Sequence, residues 1–201
     1  FSPRSRVIVH PPDRGEHAGT ADLPLPQPVA PWLTLRFDSG ASLQYESPHN
    51  AGFLEIVAPP ETYLSTEGIG PDALSSDLDY ATFRKRVGGV TGPIKSILCN
   101  RYVVAGVGPI WSDEILYQAR LHPEAPAASL VEADWMTIFE AMRDCLQAAV
   151  DAGGDVHALP DWMMTPLRFS DQRIDPETGV TFTKTMVGGL IAYYSPALQK
   201  L

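Results

Sequence analysis

The sequence has 201 residues, 44% hydrophobic and 19% charged, with 15 Lys and Arg against 24 Asp and Glu, for a formal net charge of −9. A chain of this size buries one good core or two small ones. It has no apolar run long enough to cross a membrane and no basic segment ahead of an apolar stretch that would mark a secretory leader. The acidic balance counts against non-specific nucleic-acid binding, which depends on Lys and Arg neutralising phosphates, although a local patch can override the total.

The sequence opens on Phe1 rather than methionine, as a processed product or a fragment would. Arg6-Val7-Ile8-Val9-His10 reads as a short strand, followed by a long loop from Pro11 to Pro31 rich in Pro and Gly. Trp32–Phe37 and Ala41–Tyr45 alternate apolar residues around Asp38-Ser39-Gly40, the pattern of a β-hairpin. Phe53–Val57 adds a further strand, closed by Pro59-Pro60. The first sixty residues are therefore expected to be part of an antiparallel β-sandwich.

After Gly70 the pattern turns helical. Tyr80–Val87 is one helix, with the basic run Arg84-Lys85-Arg86. Pro93 opens a second, Gly106-Val107-Gly108-Pro109 breaks the chain, and Ile110–Ala119 forms a third. Ser129 with Glu132 reads as a capping box ahead of a long helix. Met136, Phe139, Met142, Leu146 and Val150 are its expected buried stripe, and Gly153-Gly154 its end. Near the C-terminus, Thr181–Met186 and Leu190–Tyr194 flank Val187-Gly188-Gly189, a second hairpin with glycines where positive φ is needed. The order predicts an α+β chain with divisions near residues 1–60, 61–155 and 156–201.

Few residues carry chemistry by themselves. Cys99 and Cys145 lie far apart in apolar helical contexts and are expected as buried free thiols in a reducing cytoplasm. The five histidines, His10, His17, His49, His122 and His157, show no metal spacing, and His122 is expected to be structural. Asp113 and Glu114 are adjacent on a helix and so point apart, which argues against a catalytic carboxylate pair; Glu114 is expected to brace its helix or an interdomain contact. Trp135, Trp162, Met163 and Met164 are expected in core or hairpin packing.

A resemblance adds to this reading. Gly92-Pro93-Ile94-Lys95-Ser96-Ile97-Leu98, Val103-Val104-Ala105-Gly106-Val107-Gly108-Pro109-Ile110-Trp111-Ser112-Asp113-Glu114-Ile115-Leu116, and Leu121-His122-Pro123-Glu124 follow one another in an order that resembles the helix–two-turn–helix domain of the Fpg/Nei DNA glycosylases. Gly70-Pro71-Asp72-Ala73-Leu74 matches the start of that domain. The resemblance implies a glycine-rich turn whose backbone N–H groups face a DNA phosphate at a helix N-terminus. Gly106, Val107 and Gly108 would form that turn, and Lys95 would supply a point charge to the same phosphate. His49 and Asn50 would fall in an intercalation loop, Ser47–Gly52, and damaged or abasic duplex DNA is the implied partner.

This sequence also departs from the family's pattern. Pro109 stands where the family has a phosphate-contacting asparagine, Leu190 where the finger arginine is expected, and Ala51 where a void-filling phenylalanine would support base flipping. The family's C-terminal finger holds zinc through two Cys-x-x-Cys pairs; here those four positions are Asp175, Thr178, Ser195 and Leu198. A zincless finger is therefore expected, held by apolar packing of Met186, Ile191 and Tyr193 or Tyr194, with no metal and no cofactor. Family catalysis implies an N-terminal proline and a glutamate, which would lie upstream of this sequence. The expectations are a glycosylase/AP lyase of base excision repair, or an inactive relative used for protein contacts or weak structure-selective DNA binding. A different enzymatic activity grafted onto the scaffold is a third possibility.

Overall fold

The computed structural model describes residues 6–10, 33–46, 59–170 and 172–201. The chain divides into two units, Phe1–Val57 and Ala58–Leu201.

In the first unit, strands β1 (Arg6–His10), β2 (Leu33–Arg36) and β3 (Ser42–Glu46) form one antiparallel sheet in the order β1-β3-β2. β3 is central, pairing Ile8 with Gln44 on one side and Thr34 with Gln44 on the other. The β2–β3 turn closes where the sequence places it. Phe37 N donates to Ala41 O at 2.9 Å, and Gly40 takes φ +84°, a conformation that glycine adopts without a Cβ penalty. The strand expected at Phe53–Val57 and the loop at Ser47–Gly52 lie outside the described residues.

The second unit carries six helices among its described residues: α1 (Pro60–Thr66), α2 (Tyr80–Val87), α3 (Ile94–Leu98), α4 (Pro109–Gln118), α5 (Glu132–Asp151) and α6 (Thr165–Arg168). They are followed by the hairpin β4 (Thr183–Val187) and β5 (Leu190–Tyr194). The chain is thus α+β. α1 was not anticipated; Pro60, expected to end a strand, sits at the first helical position, where its missing N–H costs nothing. α2 starts at Asp79, whose carboxylate accepts from Thr82 N at 2.7 Å.

Two expectations about α5 are corrected. The Ser129–Glu132 capping box does not form: Ser129 lies in a short 3-10 turn and donates to Pro126 O, while the helix starts one residue after Val131. Asp134 closes that end by accepting from Val131 N at 2.9 Å. The buried stripe is Trp135, Ile138, Met142, Cys145, Leu146 and Ala149, whereas Met136 and Val150 are exposed. α5 has apolar residues on two overlapping stripes, and contact with α2 and α4 selects one of them.

The main core joins Phe83, Ile94, Leu98, Ile115, Leu116, Trp135, Ile138 and Met142. Phe83 meets Trp135 and Phe139 at ring-centroid distances of 6.3 and 5.4 Å. A second cluster of Tyr117, Met164, Phe182 and Tyr193 joins the hairpin to α4. The hairpin turns through Gly188 and Gly189 at φ +57° and +79°, which gives the two-residue turn its positive angles.

Candidate nucleic-acid interface

The segment between α3 and α4 is held from three directions. Gly70 N donates to Arg101 O at 2.8 Å, Ala105 N to Pro71 O at 2.9 Å and Ala73 N to Ala105 O at 2.9 Å, so residues 70–73 run alongside residues 101–105. The approach is close enough to require glycine at 70: a Cβ there would lie 2.7 Å from Val103 O, a backbone atom with no room to give. From α2, Arg86 donates to Val103 O and Tyr102 O, each at 2.7 Å. From α5, Arg143 reaches the carbonyls of Ala73 and Ser75 at 3.3 and 3.1 Å. Val103, Val104 and Val107 are buried beneath the turn.

Above these anchors the backbone turns outward. Gly106 is exposed at φ +96°, and Gly108 is the N-cap of α4 with no side-chain capping bond. Among the described residues, the amides of Gly106, Val107, Gly108, Ile110 and Trp111 donate to no protein acceptor, and Pro109 has no N–H. No acidic side chain lies in the first turn of α4. This is the arrangement by which a helix N-terminus and the preceding turn accommodate an anion. The structure therefore brings together Gly106, Val107 and Gly108; Val107 takes part through its backbone, its side chain being buried.

Lys95 is placed differently from the sequence expectation. It is 0% exposed, and its ammonium donates to Pro109 O at 2.8 Å, Ser112 Oγ at 2.9 Å and Asp113 Oδ1 at 2.6 Å. All three of its donors are satisfied within the chain, so it supports the turn from beneath and is not a charge presented at the surface. The reason is tertiary: α3 crosses the start of α4, which supplies a carboxylate and two oxygens at the depth the lysine reaches. His49 and Asn50 lie outside the described residues.

Asp113 links more of the site than the sequence suggests. Its Oδ2 accepts from Arg168 NH1 at 2.6 Å and from Tyr193 N at 3.0 Å, tying α4 to α6 and to β5. Burial pushes the Asp113 carboxyl up, opposed by Lys95, Arg168 and the Tyr193 N–H, which favour the charged form. Nothing in the sequence singles out Arg168; only the fold brings it to Asp113. Glu114 points the other way and is also fully buried. It accepts from Thr165 N and Oγ1 at 2.7 and 2.6 Å and from Met164 N at 3.1 Å, capping the start of α6. It is a brace, not one of a catalytic pair.

The remaining candidates fall away from the turn. His122 is buried, accepts from Glu124 N and packs edge-on against Tyr194, and burial lowers its pKa. Cys145 is buried and its thiol is pushed up by desolvation, then by Glu114 and Asp144. Trp135, Met163 and Met164 are core residues, but Trp162 is 48% exposed, contrary to the packing expected of it. The apolar clasp expected for the hairpin is corrected as well. Met186 and Ile191 pair across the strands on the exposed face, and Tyr193 is the residue that packs inward.

Comparison with known proteins agrees with this geometry. Residues 69–160 match the formamidopyrimidine-DNA glycosylase H2TH domain family. The formamidopyrimidine-DNA glycosylase of Methylococcus capsulatus is 28% identical over 178 residues, covering 84% of this chain and 66% of that protein. The Deinococcus radiodurans protein of the same name is 35% identical over 124 residues, covering 61% of this chain and 43% of the relative. The chain thus spans less than two thirds of the length of these relatives. In fold it is similar to Lactococcus lactis formamidopyrimidine-DNA glycosylase non-covalently bound to DNA containing an AP site. The TM-score is 0.74 at 24% identity, over 98% of this chain and 71% of that one. The matched domain coincides with the anchored turn and its supporting helices, so residues 69–160 form an H2TH domain of the formamidopyrimidine-DNA glycosylase type.

Proposed function

We propose that this chain holds damaged or abasic duplex DNA by its phosphate backbone, as part of an Fpg/Nei-type DNA glycosylase/AP lyase of base excision repair acting in the cytoplasm. The observation that carries the reading is the row of unpartnered amides at Gly106, Val107, Gly108, Ile110 and Trp111, on a turn anchored by Arg86 and Lys95. Relatives named as formamidopyrimidine-DNA glycosylases support it, as does the fold shared with a protein bound to AP-site DNA.

The amides are neutral and Lys95 is buried, so binding through this turn releases few counterions. If about two phosphates are neutralised by side chains elsewhere, the slope of log affinity against log salt is about −2, a loss of about tenfold between 50 and 200 mM. Fluorescence anisotropy on a duplex carrying an abasic-site analogue measures this. Gly108→Asp is the decisive variant. Its Cβ has open space and φ is −97°, so an aspartate fits there and caps α4, while placing a negative charge where the phosphate would sit. Affinity is expected to fall about tenfold or more with unfolding temperature unchanged or raised; unchanged affinity would overturn the reading.

A second reading, an inactive relative serving as a protein-interaction module, is favoured by the net charge of −9 and by Pro109. Borohydride trapping of the full gene product on an abasic duplex separates the two, since a covalent adduct requires an amine nucleophile and supports the enzyme.

A further inference from the structure

The finger positions that the family resemblance assigns to four zinc thiolates do not fit a metal here. Leu198 has no donor atom, and neutral Thr178 and Ser195 hydroxyls are not ligands for a structural zinc. Both hydroxyls are directed instead at Asp175. Thr178 Oγ1 donates to Asp175 Oδ2 at 2.7 Å and Ser195 Oγ donates to the same oxygen at 2.6 Å. Asp175 Oδ1 accepts from Tyr117 OH at 2.9 Å and from Glu177 N at 3.0 Å. Asp175 and Ser195 are both 0% exposed.

We propose that the Asp175 carboxylate takes the place of a metal ion as the clasp of the C-terminal finger. A structural metal joins two distant loops by accepting from each, and this carboxylate does the same with hydrogen bonds. The loop 175–179 supplies the Glu177 N–H and Thr178, the chain after β5 supplies Ser195, and α4 supplies Tyr117. Each carboxylate oxygen takes two donors, which satisfies most of the acceptor capacity of a buried carboxylate. The two loops keep tight turns around it: Gly179 N donates to Asp175 O at 2.8 Å, with Gly179 at φ +70°, and Gln199 N donates to Ser195 O at 2.9 Å. Gln199 extends the clasp, accepting from Ser195 N through its Oε1 at 2.8 Å and donating to Leu121 O at 2.8 Å. The finger is thereby fastened to α4 and to the residues that follow it, with no component supplied from solution.

The test measures metal content and local opening in the purified protein. No stoichiometric zinc is expected by elemental analysis, and EDTA is expected to leave hydrogen exchange of Tyr193–Gln199 unchanged. Asp175→Asn replaces one acceptor oxygen by a donor facing hydroxyls and N–H groups, and is expected to speed exchange there about tenfold or more while α2 and α5 stay protected. Should that variant not fold, Ser195→Ala and Thr178→Ala each remove one donor and are expected to loosen the same amides to a smaller degree. One equivalent of bound zinc with EDTA-sensitive protection would overturn the proposal. So would exchange unchanged in both Asp175→Asn and Ser195→Ala.

Discussion

Replacing Lys95 by methionine separates a structural lysine from a DNA-contacting one. The substitution keeps much of the side-chain length and removes the ammonium. Asp113 Oδ1 then loses its 2.6 Å partner, and Pro109 O and Ser112 Oγ lose donors at 2.8 and 2.9 Å. Removing one partner of a buried ion pair costs about 3–5 kcal/mol, because the other charge stays buried and uncompensated. Asp113 keeps Arg168 and Tyr193 N on its other oxygen, which places the pair's share near the lower end. The Pro109 carbonyl keeps the Ser112 hydroxyl as a donor at 3.0 Å, so its lost bond to Lys95 adds at most about 1 kcal/mol. The expected loss is therefore about 3–5 kcal/mol, a large part of the stability of a domain this size. Urea unfolding followed by circular dichroism measures it. The double variant Lys95→Met with Asp113→Asn is expected to recover none of the loss, because Arg168 then loses the carboxylate it pairs with at 2.6 Å. A Lys95→Met protein within about 1 kcal/mol of the parent, yet bound more weakly to DNA, would refute the buried-support argument and restore the lysine as a phosphate contact.

Two other outcomes follow from the finger. At Gly188, φ is +57° and a Cβ would run into Ser96 Oγ on α3, so Gly188→Ala is expected to cost about 2–4 kcal/mol in thermal unfolding. Adding Ser96→Ala is expected to return the steric part; by itself it should be neutral or stabilising, since Ser96 Oγ is buried without a hydrogen-bond partner among the described residues. For Asp175, burial pushes the carboxyl up, but hydrogen bonds from Ser195, Thr178, the Glu177 N–H and Tyr117 outweigh it and hold the pKa below its ordinary 3.8. A lowered native value means the stabilisation is complete above the unfolded value and is lost as pH falls through the native one. Glu177 and its ion-pair partner Arg120 stand beside the clasp, so the measurement is the difference between parent and Asp175→Asn. That difference in finger amide exchange is expected to shrink only below about pH 4; a difference already gone by pH 6 would contradict the assignment.

The sequence by itself determined what depends on neighbours along the chain. The hairpin turn at Gly188-Gly189 was legible because positive φ there favours glycine, and α2, the glycine turn before α4 and the β2–β3 turn were legible for comparable local reasons. The ordered motif from Gly70 to Glu124 marked the H2TH domain, because its glycines and apolar positions are fixed by close approaches such as Gly70 against Val103. Tertiary structure decided what depends on partners distant in sequence. Which of two overlapping stripes on α5 is buried was set by α2 and α4, not by periodicity. Lys95 looks like a surface charge in any window of sequence; it is a buried support because Asp113, on the next helix, meets it. Asp175 looks like a lost metal ligand; it is the centre of a clasp because the fold brings Tyr117 and Ser195 to its two oxygens. Local propensity is encoded within a few residues, whereas the role of a charge depends on what else is buried with it, and that is decided only when the helices pack.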